Sequence, residues 1–191
     1  GPEGTNSYFA AVDLLGNLMD YRPCKNFREA FAAVHGGECT LGVIPLENVL
    51  QGSVGQCFDL FMEYDVYIQT ESVARIQHTL LSVESSPEAI KVVYSHPQAL
   101  MQCSQYLNAR KDWQQISVEN TAVAAKKIIE DQDIHQTAVA SQTAGKLYGL
   151  KVLAASINHN RNNTTRFLIL AKEQVYRKEA EKISICFELP H

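Results

Sequence analysis

An α/β chain in two lobes is the fold class that this sequence implies, on three grounds. Short apolar strands alternate with helical segments along most of its length. Polar residues gather at four places where a strand gives way to a loop or helix. One long extended segment, residues 66 to 83, breaks the alternation and reads as a crossing from one lobe to the other, with the return near residues 157 to 165. The first lobe is then residues 1–70 with 165–180, and the second is residues 72–157. Alternation of this kind predicts parallel sheets covered on both faces, with the ligand in a cleft between the lobes, beyond the strands' carboxyl ends.

Each element has a local reason. "SYFAAVDLLGNLM" sets Phe9, Val12, Leu15 and Leu18 at helical spacing. "NFREAFAAVHGG" opens on an Asn26/Glu29 capping box and ends at Gly36 and Gly37. "TLGVI" is a short strand stopped by Pro45, and Gly52 and Ser53 start the helix that runs through "VGQCFDLFMEY". "DVYIQTESVARIQHTLLSV" is extended. In the second series "KVVYS" is a strand, and "HPQALMQCSQYLN" is a helix with Pro97 in its first turn, where a missing N–H costs nothing. "NTAVAAKKIIED" is a helix capped by Asn120 or Thr121. "TAVAS" is a strand, "QTAGKLYGL" a helix closed by Gly149, and Arg166 to Ala171 the last strand.

Composition narrows the functional classes. The chain has 191 residues, 46% hydrophobic and 20% charged, which suits a folded protein rather than a disordered one. A net charge of -4 offers no basic face to nucleic acid. No apolar run approaches the roughly 20 residues that span a bilayer, and no signal peptide opens the sequence, so a cytoplasmic protein without a membrane partner is expected. Cys24, Cys39, Cys57, Cys103 and Cys186 are dispersed, without a C-x-x-C pair, and read as packed, reduced thiols. The six histidines lack ligand spacing, so no metal is expected.

Four stretches place polar groups where chemistry is possible, and each has a plainer reading. In "GPEGTNS" the backbone N–H groups of the turn suit a carboxylate, or Thr5 and Ser7 simply cap the helix that follows. In "IPLENVLQGSV" Glu47 and Asn48 follow a strand, as ligand contacts or as a turn with its cap. In "YSHPQAL" Ser95 can cap the helix, and His96 and Gln98 stand near its positive end, as site residues or turn residues. In "NHNRNNTTRFLILAKE" Thr165 and Arg166 offer a hydroxyl and a guanidinium, or a β-branched strand residue beside a solvated arginine.

Taken in order, "GPEGT.S", "GVIPLEN…GSV", "YSHPQAL.QC" and "TRFLIL", with "TAVASQTAGKLYGLKVL" before the last, resemble the prephenate dehydratase family over residues 1 to 172. The resemblance implies two Rossmann-like lobes with a cleft, as in type II periplasmic binding proteins. It also implies decarboxylating dehydration of prephenate to phenylpyruvate on the route to L-phenylalanine, no cofactor, and a homodimer or homotetramer. It places Thr165, Glu47 and His96 in catalysis, and Thr5, Ser7, Asn48, Ser53, Ser95, Gln98, Arg166 and Phe167 at the substrate. Asn6, Val49, Gln51 and His159 depart from the family pattern, which bears on substrate geometry rather than reaction class. The family's opening strand before G-P is missing ahead of Gly1, and "KISICFELPH", within residues 181–191, resembles the first strand of a truncated ACT regulatory domain. Phenylalanine inhibition is therefore expected to be absent. Arogenate dehydratase and a non-catalytic two-lobed binding protein remain as alternatives.

For that reaction Thr165 would act as a positioned donor to the leaving hydroxyl, with Glu47, His96 or water supplying the proton. Arg166 would hold the side-chain carboxylate or, by strand alternation, point away and brace the sheet. General acid assistance of this kind is worth about 10²–10⁴-fold.

Overall fold

The computed structural model describes residues 1–176, 178–185 and 187. In chain order the elements are α1 (Asn6–Leu15), α2 (Phe27–His35), β1 (Leu41–Asn48), β2 (Gly52–Ser53), α3 (Gly55–Glu63), β3 (Tyr67–Arg75), β4 (Thr79–Ser82) and β5 (Val92–Ser95). They continue as α4 (Pro97–Gln102), α5 (Ser104–Asn108), β6 (Gln114–Ser117), α6 (Thr121–Asp131), β7 (Gln136–Ala140), α7 (Gln142–Leu147), β8 (Lys151–Ala154) and β9 (Thr164–Ala171). They fall into two compact units: Gly1, Ala10–Ala74 and the chain from Thr164 form one, and Pro2–Phe9 with Arg75–Asn163 form the other.

The first unit is built on a four-stranded sheet ordered β2-β1-β9-β3. Here β1 runs antiparallel to both β2 and β9, which corrects the expectation of parallel pairing. Strand–helix alternation fixes a parallel direction only between strands joined by a crossover. Strand β9 returns from far along the chain, so nothing local sets its direction. The core on this sheet gathers Phe31, Val34, Ile44, Leu60, Leu168 and Leu170. Pro45 does not end β1. The strand continues to Asn48, and a register shift between Pro45 and Glu47 absorbs the missing N–H. Gly52 and Ser53 do not start a helix either: they form β2, and α3 begins at Gly55. Gly52 has φ +81°, and that left-handed turn folds β2 back onto β1.

The second unit holds a five-stranded sheet ordered β6-β5-β7-β4-β8. Strand β5 is parallel to β6 and β7, whereas β4 is antiparallel to β7 and β8. Neighbouring residues of β4 and β7 serve opposite faces. Leu80 and Val139 join Val93, Leu100 and Leu107 on one side. Leu81 and Ala138 join Ala125, Ile128 and Ala144 on the other. Both faces are thus buried, which is why "TLLS" shows no polar alternation. The caps follow the sequence: Asn26 Oδ1 accepts from Glu29 N at 2.9 Å, and Asn120 Oδ1 from Val123 N at 2.9 Å.

The expected lobe boundaries need correction at both ends. Residues 2–9 pack with the second unit, where the Tyr148 hydroxyl donates to the Glu3 carbonyl at 3.0 Å. Gly4 permits that approach, because a Cβ there would lie 2.9 Å from the Tyr148 oxygen. Residues 72–74 stay with the first unit. At the carboxyl end, residues 180–185 and 187 lie in no helix or strand, and the rest of the expected 181–191 strand falls outside the described residues.

Candidate functional site

The end of β1 and the start of β9 form one polar cluster in the first unit. Register pairs Asn48 with Thr165 and Glu47 with Arg166. Asn48 Nδ2 donates to Thr165 Oγ1 at 2.9 Å and to the Thr164 carbonyl at 3.0 Å, while its Oδ1 accepts from Leu50 N at 3.0 Å. Asn48 and Thr165 are each 8% exposed. Because Thr165 Oγ1 is already an acceptor, its own hydroxyl proton remains to be donated.

Alternation along β9 sends Arg166 to the other face. There its Nη2 meets Glu47 Oε2 at 2.9 Å and its Nη1 meets Glu71 Oε2 at 3.6 Å. Lys182 Nζ reaches Glu71 Oε1 at 2.6 Å. The Lys182 ammonium, with Arg166 adding its charge, holds the Glu71 carboxyl below the usual carboxylate range. Arg166 and Glu47, expected at the substrate and in catalysis, are thus engaged with each other.

Other sequence candidates are placed differently. Ser95, expected at the substrate, is fully buried and donates to the Val139 carbonyl at 2.6 Å, which ties β5 to β7. Nor does Ser95 cap α4. His96 Nδ1 accepts from Gln98 N at 3.3 Å and does so instead. Phe167, expected at the substrate, is 1% exposed and belongs to the interior. Thr5 caps α1, donating to the Pro2 carbonyl at 2.7 Å and accepting from Tyr8 N at 3.3 Å. Ser7 lies within α1, half-buried, and Ser53 is exposed on β2 opposite Glu47.

A second polar cluster, in the second unit, escaped the sequence reading. Gln102 Oε1 accepts from Asn163 Nδ2 at 2.9 Å and lies 2.7 Å from His78 Nε2. An oxygen can only accept, so His78 carries its proton on Nε2. Burial lowers the His78 pKa, with the Gln102 bond opposing, which favours the neutral ring. His78 N donates to Asn158 Oδ1 at 3.1 Å. The signal was present as "NHNRNN" and as a histidine directly before an apolar strand, but polar residues beside strands usually face water.

Burial pushes the thiols of Cys57 and Cys103 up to about 11 and about 12, far from reactive thiolates. Among the described residues no group of three His, Cys, Asp or Glu side chains is placed to hold a metal ion, and no helix is long and apolar enough to cross a membrane.

Fold and site together define an α/β protein of two sheets, the second of them mixed, that presents an amide-anchored threonine hydroxyl beside an ion pair. The prephenate dehydratase family model matches residues 1–175, and the chain belongs to that family. It is 38% identical over 188 residues to a bifunctional chorismate mutase/prephenate dehydratase of Aquifex aeolicus (strain VF5), covering 98% of this chain and 51% of that protein. It is also 38% identical over 192 residues to arogenate dehydratase/prephenate dehydratase 1, chloroplastic, of Arabidopsis thaliana, covering 99% and 48%. The chain therefore spans about half the length of the curated relatives it matches. A solved structure of GqqA, described as a novel type of quorum quenching acylase, matches with a TM-score of 0.82 and 29% identity over 92% of this chain and 63% of that one. A shared fold of this kind does not by itself fix the reaction.

Proposed function

We propose that this chain is a prephenate dehydratase, converting prephenate to phenylpyruvate with loss of carbon dioxide and water, as L-phenylalanine biosynthesis requires. Family membership supports the reaction class. The single observation that supports the mechanism is the Asn48–Thr165 bond, which occupies the threonine oxygen as acceptor and leaves its proton to give. In the reaction the ring carboxylate leaves as carbon dioxide, and its electron pair completes the aromatic ring. The hydroxyl opposite departs with one added proton as water. Thr165 would hydrogen-bond that departing oxygen and Asn48 would hold Thr165 in place. A threonine hydroxyl is a weak acid, so its task is to stabilise charge as it develops rather than to surrender a proton outright. Glu47, His96 or water would supply the proton. The Glu47–Arg166 pair would brace β1 against β9 so that Asn48 and Thr165 stay in register.

The test is to incubate the chain with prephenate and follow phenylpyruvate. Turnover supports the reading, and prephenate binding without product defeats it. The Arabidopsis relative's name supports a second substrate, arogenate, for which the same assay would release phenylalanine. The ratio of kcat/KM values for the two substrates decides between them.

A further inference from the structure

A pocket of about 380 Å³ lies wholly within the second unit, lined by Arg75, Gln77, Ser156, Asn158 and Arg161. All five are polar, two are cationic and none is acidic. These two arginines differ from the others described. Arg22, Arg28 and Arg166 each meet a carboxylate, and Arg110 lies over the rings of Tyr106 and Trp113. Neither Arg75 nor Arg161 has a carboxylate partner among the described residues.

The pocket is also held in shape. Arg75 Nε and Nη2 both donate to the Arg161 carbonyl, at 3.1 and 2.9 Å, which fixes the plane of the guanidinium. The two lining segments are tied by Ile76 N to the Asn163 carbonyl at 2.8 Å and Ile157 N to the His78 carbonyl at 2.9 Å. Asn158 is fixed by bonds to His78 N and to the Asn160 carbonyl. Ser156 takes a left-handed backbone, φ 52°, a conformation that residues with a Cβ adopt only when their surroundings impose it.

We propose that this pocket is an anion site, taking a carboxylate or phosphate group of a small molecule. A guanidinium with a fixed plane loses little freedom on binding, and with Nε and one Nη2 hydrogen held by the Arg161 carbonyl, the N–H groups left at Nη1 and Nη2 still form a flat pair that matches either oxyanion. The volume lies in the range of small-molecule sites, about 300–1,000 Å³, rather than that of a lone inorganic ion. The inference stands on these residues alone and does not rest on the proposed reaction.

Calorimetric titration of the whole chain with malonate and with inorganic phosphate, at constant ionic strength, tests it. Saturable binding with a Kd on the order of 1 mM is expected. Arg161→Gln should weaken it by about tenfold. Lys126→Gln, which removes the same charge from an exposed helix position, should leave it unchanged. Absence of saturable binding by either anion would overturn the proposal, as would an equal loss in both variants. Arg75→Gln, checked for folding by circular dichroism, gives a second reading of the same loss. The source of the anion follows from prephenate kinetics. If Arg161→Gln raises KM at constant kcat and malonate competes with prephenate, the site takes the substrate's carboxylate. If malonate binding falls with KM unchanged, it takes a separate small acid. A chain with no turnover at all would leave the titration intact.

Discussion

Replacing Thr165 by valine separates a reacting hydroxyl from a structural one. Valine keeps the branched shape that fits β9 and removes only the oxygen. That oxygen accepts one 2.9 Å bond from Asn48 Nδ2, at a position 8% exposed. The second Nδ2 hydrogen keeps the Thr164 carbonyl. One bond is lost and one donor is left without that acceptor, a cost of about 1–2 kcal/mol. For a chain of this length the melting temperature should fall by roughly 2–8 °C. Loss of a group that assists the departing hydroxyl costs more, about 10²–10⁴ in kcat, equivalent to about 2.7–5.4 kcal/mol at 1.36 kcal/mol per tenfold. The two effects therefore differ in size and are read by different assays: phenylpyruvate release for kcat and thermal unfolding for stability. Thr165→Ser should recover most of the rate. If Thr165→Val turns prephenate over within about threefold of the unaltered chain while melting lower as expected, the hydroxyl holds the sheet and takes no part in the chemistry.

Three further outcomes are expected. Glu47→Gln should cost under about 1 kcal/mol in urea unfolding, because both partners of its ion pair are substantially exposed, 48% for Glu47 and 39% for Arg166; a kcat loss of about 10²-fold without that instability would instead make Glu47 the proton source. Gly145→Ala sets two terms against each other. Alanine gains about 1 kcal/mol of helix propensity, but its Cβ would lie 2.6 Å from Leu81 Cδ2, beside a fully buried side chain, and such overpacking costs about 1–3 kcal/mol, so a lower urea midpoint is expected and a higher one would show that α7 can move off β4. His78 titrates below its ordinary value because burial disfavours its charged form, so beneath pH 6.5 the unfolded chain takes up a proton that the folded chain resists. Stability should therefore be full above that pH and fall as the pH drops through the window below it, by at most about 1.4 kcal/mol per pH unit, and His78→Gln should remove that share of the acid slope.

Much of the fold was legible because it was written locally. Asn26, Asn120 and Gly149 mark helix ends through bonds and backbone angles that reach only a few residues. Strand direction was not legible, because it depends on partners distant in sequence. Pro45 misled for a related reason. As a residue in isolation it ends a strand, yet as part of a bulge it sets the offset that brings Asn48 opposite Thr165. The burial of Ser95 and Phe167 was not legible either, because motif position says nothing of which side of a strand faces inward, and the structure gives each 1% exposure or less.

Arg166 shows how much a strand's alternation decides. Thr165 and Arg166 are adjacent in sequence, and a motif treats them as one unit, yet a strand sends adjacent side chains to opposite faces. An arginine with a single carboxylate partner could exchange it for a substrate's. Arg166 has two, Glu47 and Glu71, so recruiting it would take that cation from Glu47 and leave Glu71 with Lys182 alone. A carboxylate arriving from solvent would have to outcompete both while also shedding its own water. The arrangement is better suited to fixing the spacing of β1, β9 and β3 than to binding an anion. If that is its role, Arg166→Lys, which keeps the charge but loses the fork, should lower kcat through a displaced Thr165 more than it raises KM, whereas a clamp on the substrate would show the reverse.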